Sequence, residues 1–515
     1  MRIGTNVAAI VANNALQKSQ NNLSTSIERL SSGYKINGSK DDAAGCAISE
    51  KMRAQIRGLS QAQNNTADGV SVLNTAEGAI TEIQSMLTRL KELSVQAAND
   101  VNSDDEREAI QKEIEQINNE IDRISDQTEF NTQSLINGNL SRRVYSDLQG
   151  VNQLSVSDSY TAGVYGITVT EDARQAIAVG AGSITMSSTA SITEEQAGAI
   201  NINGYKISIS EGDTLDKVMG KIIDGVNITG GSAFTVKDLN NDTAANGTDY
   251  AGYVPTVDYA GSTLVIMTNQ YGSDQKMNIT CDNAELADIL GIPQAATQDG
   301  IYVEGSDVKA EIATGDDGKR IGFADSAILS TKGTVITVTD VNNKEFSMDV
   351  PGNAAGTVFD DSNNDGQSAA GAGTARTISQ EVTDVGTMSI HVGANQDQVI
   401  VIDIPAITTY SLGTEHMNVM TQYTASRAIS TVDEAINKTN KIRSRIGAYE
   451  NRFDHTTNNL EVSSENLTKS LSTMIDTDMS EEMTTYTSET VLTQAATSIL
   501  AQANERPSQV LQLLQ

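Results

Sequence analysis

From Leu73 the chain sets Ala76, Ile80, Ile83, Leu87, Leu90, Ser94 and Ala97 at alternating spacings of three and four. That spacing keeps one apolar stripe on a helix that packs along a partner. Turn formers in residues 99–105 break the stripe, and Ile110, Ile114, Ile117, Ile121 and Ile124 resume it, which predicts an antiparallel helical hairpin. In the C-terminal arm Ala428, Val432, Ala435, Thr439, Ile442, Ile446, Tyr449, Phe453, Thr456, Leu460, Ser463 and Leu467 keep the same rhythm. At about 1.5 Å per residue that stripe runs for roughly 60 Å and needs a partner along its length. The N-terminal hairpin can supply one, so both ends of the chain are expected to form a long antiparallel α-helical rod or coiled coil.

The extreme ends differ. Leu16, Leu23, Ile27 and Leu30 form one stripe, and Leu492, Ala496 and Ile499 with Ala503 another, both set among Asn, Gln, Ser and Thr. Faces this thin are weak for isolated helices, because nucleation is costly and packing supplies most helical stability. They are expected to order only on assembly. Between the arms the period changes to two. KISIS (206–210), STLVIMT (262–268), GTVITVTD (333–340) and QVIVIDI (398–404) alternate or are rich in Val, Ile and Thr between Gly, Asn and Asp. These segments predict a β-rich insert. One helix is expected within it, Thr214 to Val226, with Asp213 as its N-cap. The predicted class is therefore mixed and multidomain, a helical rod with an α+β insert.

Charge follows the same division. Residues 1–145 carry 15 basic and 19 acidic side chains and residues 416–515 carry 8 and 12, so the middle holds 12 and 36, a net −24 of the chain's −32. Such a balance argues against a nucleic-acid partner, which would need clustered cations. Across 515 residues the hydrophobic share is 38% and the aromatic share 4%, thin for one large core, so several domains are expected. All five prolines follow residue 254, and only Pro507 falls in a helical arm. The opening residues hold one basic side chain and no long apolar run, so neither a cleaved signal peptide nor membrane insertion is expected.

Candidate chemistry is sparse. Cys46 and Cys281 are far apart and form no disulfide framework. His391, His416 and His455 lack zinc-ligand spacing. Asp361, Asn363, Asp365 and Gly366 match the start of a calcium loop, but Ala372 stands where a bidentate Glu is needed, so a solvated turn is expected. The pairs Asp104–Asp105 and Glu481–Glu482 sit in polar stretches with nothing to raise a pKa. No nucleophile elbow, P-loop or dinucleotide fingerprint occurs. The expectation is no catalytic residue, no metal, no cofactor and no enzymatic activity.

The ends carry a specific signature. LSTSIERLSSGYKINGSKDDAAGCAIS (23–49), RLKELSVQAAN (89–99), EIDRISDQTEFN (120–131), RIGAYENRF (445–453), NNL (458–460) and TSILAQANERPSQVLQLLQ (497–515) together resemble bacterial flagellins, over about 140 residues at the start and 95 at the end. In the insert, INGYKISISEGDTLDKVM (202–219) with STLVIMTNQYGS (262–273) is similar to a repeat module of flagellin outer domains, and HVGANQDQ (391–398) to a motif at the return. The resemblance implies five segments: an inner-tube helix at 1–42, a helical rod at 43–175, an outer β-rich insert at 176–390 with the repeat-like module at about 196–295, a return and rod helix at 391–470, and a second inner-tube helix at 471–515. It implies a helical homopolymer that serves swimming motility. Assembly would be carried by Leu16, Leu23, Ile27, Leu30, Leu492, Ala496, Ile499, Leu511 and Leu514 through heterologous contacts that never close.

The same resemblance implies export as an unfolded chain by the flagellar type III system, a chaperone on the C-terminal helix, and flagellar cap and hook-filament junction proteins as partners. It also implies an extracellular location in the filament and recognition by host Toll-like receptor 5. The receptor patch would comprise Arg89, Leu93, Gln96 and Glu113, the first three spaced four and three apart on one helical face. Three departures from the family pattern are the opening MRIGTN, the terminal Gln515 and Cys46, whose neighbours Ala43, Ala44 and Gly45 suggest burial as a small hydrophobe. Alternatives stay open: a minor filament or hook-filament junction protein, or a flagellin whose insert is a glycan or host adhesin. A grafted hydrolase is disfavoured by the missing metal ligands. The Ser/Thr-rich stretch SITMSSTASIT (183–193) could accept O-linked sugars.

Overall fold

The structure, a computed structural model, describes residues 6–512 apart from 158–159, 181, 238–260, 293–299, 316–317, 341–343, 353–358, 361–368, 371–374 and 384. Its helices are α1 (Val7–Ser32), α2 (Ala43–Ala97), α3 (Asp104–Gln127), α4 (Leu215–Ile228), α5 (Ala284–Ile289), α6 (Thr409–Leu412), α7 (Gln422–Ile475) and α8 (Met479–Gln512). Antiparallel strands fill the stretch between α3 and α6, so the predicted class of helical ends around a β-rich insert is the observed one. The chain divides into two compact units, one of residues Met1–Val70, Ile390–Ile400 and Asn451–Gln515, the other of Ser71–Ser389 and Val401–Glu450.

In the larger unit the heptad stripe forms the helical core. Leu73, Ala76, Ile80, Ile83, Leu87 and Leu90 are fully buried, as are Ile114 and Ile121, and Val432, Ala435, Thr439 and Tyr449 join them. The break at residues 99–105 becomes a tight turn. Ser103 caps α3 by accepting from Glu106 N, and the Glu106 carboxylate accepts from Ser103 N, a capping box that satisfies two of the otherwise orphaned helix-end donors. Arg107 closes the turn, donating through Nε to Ala97 O at 3.1 Å and through Nη2 to Asn99 O at 3.2 Å. Polar pairs fix the direction of packing. Lys91 meets Asp433, and Arg443 donates to Glu77 at 3.0 and 2.7 Å, so α2 and α7 run antiparallel here.

The insert's strands match the predicted segments closely: Tyr205–Ile209, Ser262–Thr268, Val335–Thr339 and Val399–Ile402. One four-stranded sheet has the order Ile301–Glu304, Lys276–Cys281, Gly198–Ile202, Tyr205–Ile209. Together with α4 and α5 it encloses a core that includes Ile200, Ile207, Leu215, Met219, Ile222, Met277 and Leu286. Two further four-stranded sheets share another core, where Tyr160, Tyr165, Phe323 and Phe346 interlock with ring centroids 5.1 to 6.1 Å apart. Burial there pushes the Tyr160 hydroxyl up to about 12.

The α4 cap departs from expectation. The N-cap is Thr214, one residue later than predicted. Asp213 instead accepts from Ser210 N at 3.0 Å and pairs with Lys217 and Lys221 at 2.8 and 2.6 Å. An acid with two lysines one and two turns along is held by charge, so it need not turn back to the helix end. The helices α5 and α6 were not expected at all. Both are short, and α6 is fixed from outside: Thr409 donates through N and Oγ1 to Asp122 of α3 at 2.8 and 2.6 Å. The calcium-loop-like residues Asp361, Asn363, Asp365 and Gly366 lie outside the described residues.

In the smaller unit α1 and α8 pair along their length. Asn6 caps α1 by accepting from Ala9 N, and its amide donates to Ala503 O at 2.9 Å. Gly33 ends α1 in the left-handed region, φ 77°, which glycine adopts without a Cβ penalty. Leu59, Ala62 and Leu460 form a small core with Ala394 and Leu467 beside it.

Candidate functional site

The terminal helices meet through small and polar groups. Ala12, Ser26, Glu482 and Ala503 are the buried positions of α1 and α8 among the described residues. Ser26 donates to Glu482, Arg29 lies 3.6 Å from the same carboxylate, and Asn22 donates to Glu489 at 2.9 Å. An interface so poor in apolar area leaves the large side chains elsewhere. Leu16, Leu23, Leu30 and Ala496 are half-buried, whereas Ile27 is 50%, Leu492 50% and Ile499 56% exposed. The side chain of Leu511 and all of Leu514 lie outside the described residues.

Sequence reasoning missed part of this surface. Val7, Ile10, Val11, Val491, Met479 and Met483 are all about half exposed or more on the same two helices. They lie off the two stripes, although Val7, Ile10 and Val11, like Met479 and Met483, keep helical spacings of three or four. Exposed apolar side chains thus run along both paired helices rather than being scattered singly.

The predicted recognition residues separate. Arg89 donates through Nε and Nη2 to one oxygen of Glu113, at 3.0 and 2.8 Å, and through Nη1 to Glu92 at 3.1 Å. Hydrogen bonding to these carboxylates raises the guanidinium's pKa, Glu113 contributing most. This arrangement stays on the surface, and Gln96 is exposed as well. Leu93, however, is 1% exposed and belongs to the helical core. The heptad explains why: Leu93 follows Leu90 by three residues and borders the stripe, so packing of the hairpin covers it. The exposed apolar groups nearby are Val95, at 52%, and Val101, at 85%.

The thiols also differ from each other. Cys281 is buried, donates to Asn283 O at 3.2 Å, and has its pKa raised by that burial. Cys46 is only partly buried. The small residues before it do not enclose it, since Ala43 and Ala44 are themselves exposed and only Gly45 is buried. In the 183–193 stretch Ser183, Thr185, Ser187, Thr189 and Ser191 are exposed. Among the described residues no group of three or more His, Cys, Asp or Glu side chains is placed to hold a metal ion. None of the described helices is long and apolar enough to cross a membrane.

Residues 3–141 match the bacterial flagellin N-terminal helical region, and residues 429–514 match the bacterial flagellin C-terminal helical region. A flagellin of Salmonella typhimurium is 31% identical over 99% of each chain. Polar flagellin A of Vibrio parahaemolyticus is 30% identical over 100% of this chain and 99% of its own. A solved flagellar junction protein of Legionella pneumophila shares 13% identity, covering 79% of this chain and 99% of its own at a TM-score of 0.25. Full-length identity at this level and the matched terminal regions decide the assignment: the chain belongs to the bacterial flagellin family.

Proposed function

We propose that the chain is the structural subunit of a bacterial flagellar filament, joined to its neighbours through α1 and α8. The observation that carries this reading is the apolar surface those helices leave uncovered, Ile27, Leu492 and Ile499 foremost. Identical subunits that each present such a surface on paired terminal helices grow by heterologous contacts, and a rotation that does not close gives a helical polymer. The acidic insert, at −24, supports an outward position, where like charge keeps polymers apart. The subunit performs no catalysis. It leaves the cell as an unfolded chain by type III export, chaperoned at α8, and joins the extracellular filament between junction and cap proteins.

Unassembled subunits are recognised by host Toll-like receptor 5 at Arg89, Gln96 and Glu113, with Leu93 shaping that face from the core beneath. The exposed Arg89–Glu113 pair supports this reading, since a held guanidinium is pre-organised for a partner. Electron microscopy of purified protein induced to polymerise, intact or lacking residues 1–42 or 471–515, tests the assembly reading. Intact chains should form tubes and both truncated chains should not. Tubes from either truncated chain would refute the role given to the terminal helices.

A further inference from the structure

The larger unit carries a cleft where the insert meets α7, made of two adjoining cavities of about 470 and 390 Å³. They share Asn203, Lys276 and Tyr423 as a common wall. Each falls within the usual size of a small-molecule site, about 300–1,000 Å³. Aromatic side chains are 4% of the sequence, yet Tyr205, Tyr302 and Tyr423 all line this one cleft. Tyr205 packs against the hydrophobic core of the neighbouring sheet. Tyr302 is 52% exposed, and Tyr205 and Tyr423 are only partly buried.

Hydrogen-bonding groups surround these rings. Among the described residues the hydroxyls of Tyr205 and Tyr423 have no hydrogen-bond partner, and the side-chain amides of Asn278 and Gln422 are likewise unengaged. Arg427 spends Nη1 on Gln275 at 3.1 Å and lines the first cavity. Desolvation raises the pKa of both tyrosines, so they remain O–H donors through the physiological range. Other charges at the cleft are already matched. Lys276 pairs with Glu304 at 2.8 Å, and Arg107 lies 3.9 Å from Asp100 and 3.7 Å from Asp104.

A ligand for such a wall needs flat faces to lie on the rings and many edge hydroxyls that both donate and accept. Carboxamides and phenols serve both directions, and tyrosine offers a rigid apolar face with a polar tip at little conformational cost. An anion fits poorly, since the basic groups are largely paired and the chain as a whole carries −32. Tyr302 already donates to Glu304 at 2.6 Å, but a purely apolar ligand would leave the hydroxyls of Tyr205 and Tyr423 and the amides of Asn278 and Gln422 unpaired, which costs binding energy. We propose that this cleft binds a neutral oligosaccharide, with Tyr423 between two sugar subsites, Tyr205 and Tyr302 in one and Arg427 in the other. This site goes beyond filament assembly and uses none of the residues assigned to it.

Saturation-transfer NMR and titration calorimetry on the full-length unpolymerised chain test the proposal, with chitotriose, maltotriose, cellotriose, xylotriose and lactose as probes and citrate as the anionic control. At least one neutral sugar should bind, and Tyr302→Ala and Tyr423→Ala should each weaken it about tenfold or more. Tyr302 is exposed enough for its variant to keep the wild-type melting temperature, and both variants should still polymerise, which separates this outcome from the filament reading. Absence of binding across the neutral panel, binding of citrate alone, or sugar binding that neither variant weakens would each overturn the proposal.

Discussion

The ring of Phe453 lies against the backbone of Gly69, where a methyl group would sit 3.0 Å from Cζ and 3.2 Å from Cε1. Two effects oppose each other at this position. Alanine in place of a mid-helix glycine gains about 1 kcal/mol in helix propensity. Overpacking a fully buried ring costs about 1–3 kcal/mol. Packing should win, so Gly69→Ala is expected to lower stability by about 1 kcal/mol in thermal melts of the unpolymerised chain. A raised melting temperature would mean that the ring yields at no cost.

Asp213 should make part of the insert's stability pH-dependent. Hydrogen bonds from Lys217, from Lys221 and from the Ser210 backbone hold its carboxyl well below the usual carboxylate range. A group depressed in the folded state contributes stability that is complete above its unfolded pKa, about 3.9, and is lost as pH falls through the lower folded value. Asp213→Asn should therefore lower the melting temperature of the insert at neutral pH, and the gap from wild type should narrow steadily below about pH 4. A gap that stays constant across that acid range would show that the ion pairs are not its source.

On the hairpin, Arg89 and Leu93 should separate by experiment. Leu93→Ala empties a fully buried site and is expected to cost about 2–5 kcal/mol, a clear loss in melting temperature. Arg89→Ala removes an exposed guanidinium and should leave the melt unchanged while lowering Toll-like receptor 5 signalling by unassembled protein. Full signalling from Arg89→Ala would remove that residue from the recognition face, whatever Leu93→Ala does through misfolding.

These contrasts follow what the sequence makes legible. The stripe from Leu73 to Ala97 could be read because seven regular spacings point one way, and its residues are buried as the period requires. The segment 262–268 could be read as a strand because its composition and its Gly boundary agree. Alternation reveals a strand's face but not its neighbour. Nothing local places Gly163–Glu171 between Lys309–Ile312 and Arg376–Val382, partners more than a hundred residues away. For the same reason the cleft of Tyr205, Tyr302 and Tyr423 was invisible, since only the fold brings them together. Leu93 shows the opposite limit: spacings of four to Arg89 and three to Gln96 suggested one face, and only packing against the second helix shows which side of that face is covered.

The last prediction concerns the uncovered surface itself. Ile499 is 56% exposed, so Ile499→Asp removes little packing from the single chain, and a surface substitution of this kind shifts stability by no more than about 0.5 kcal/mol. In a polymer the same side chain would be buried against a neighbour. Losing its burial there costs on the order of 1 kcal/mol, and leaving a carboxylate without a partner adds to that. Each 1.4 kcal/mol is tenfold in an equilibrium constant, so the critical concentration for polymerisation should rise about tenfold or more while the melt of the unpolymerised chain is unchanged. Ala503→Asp provides the contrast. Ala503 is 8% exposed within the α1–α8 pair, so its variant should disturb the single chain as well. If Ile499→Asp polymerises at the wild-type concentration, the exposed face of α8 is not where subunits meet.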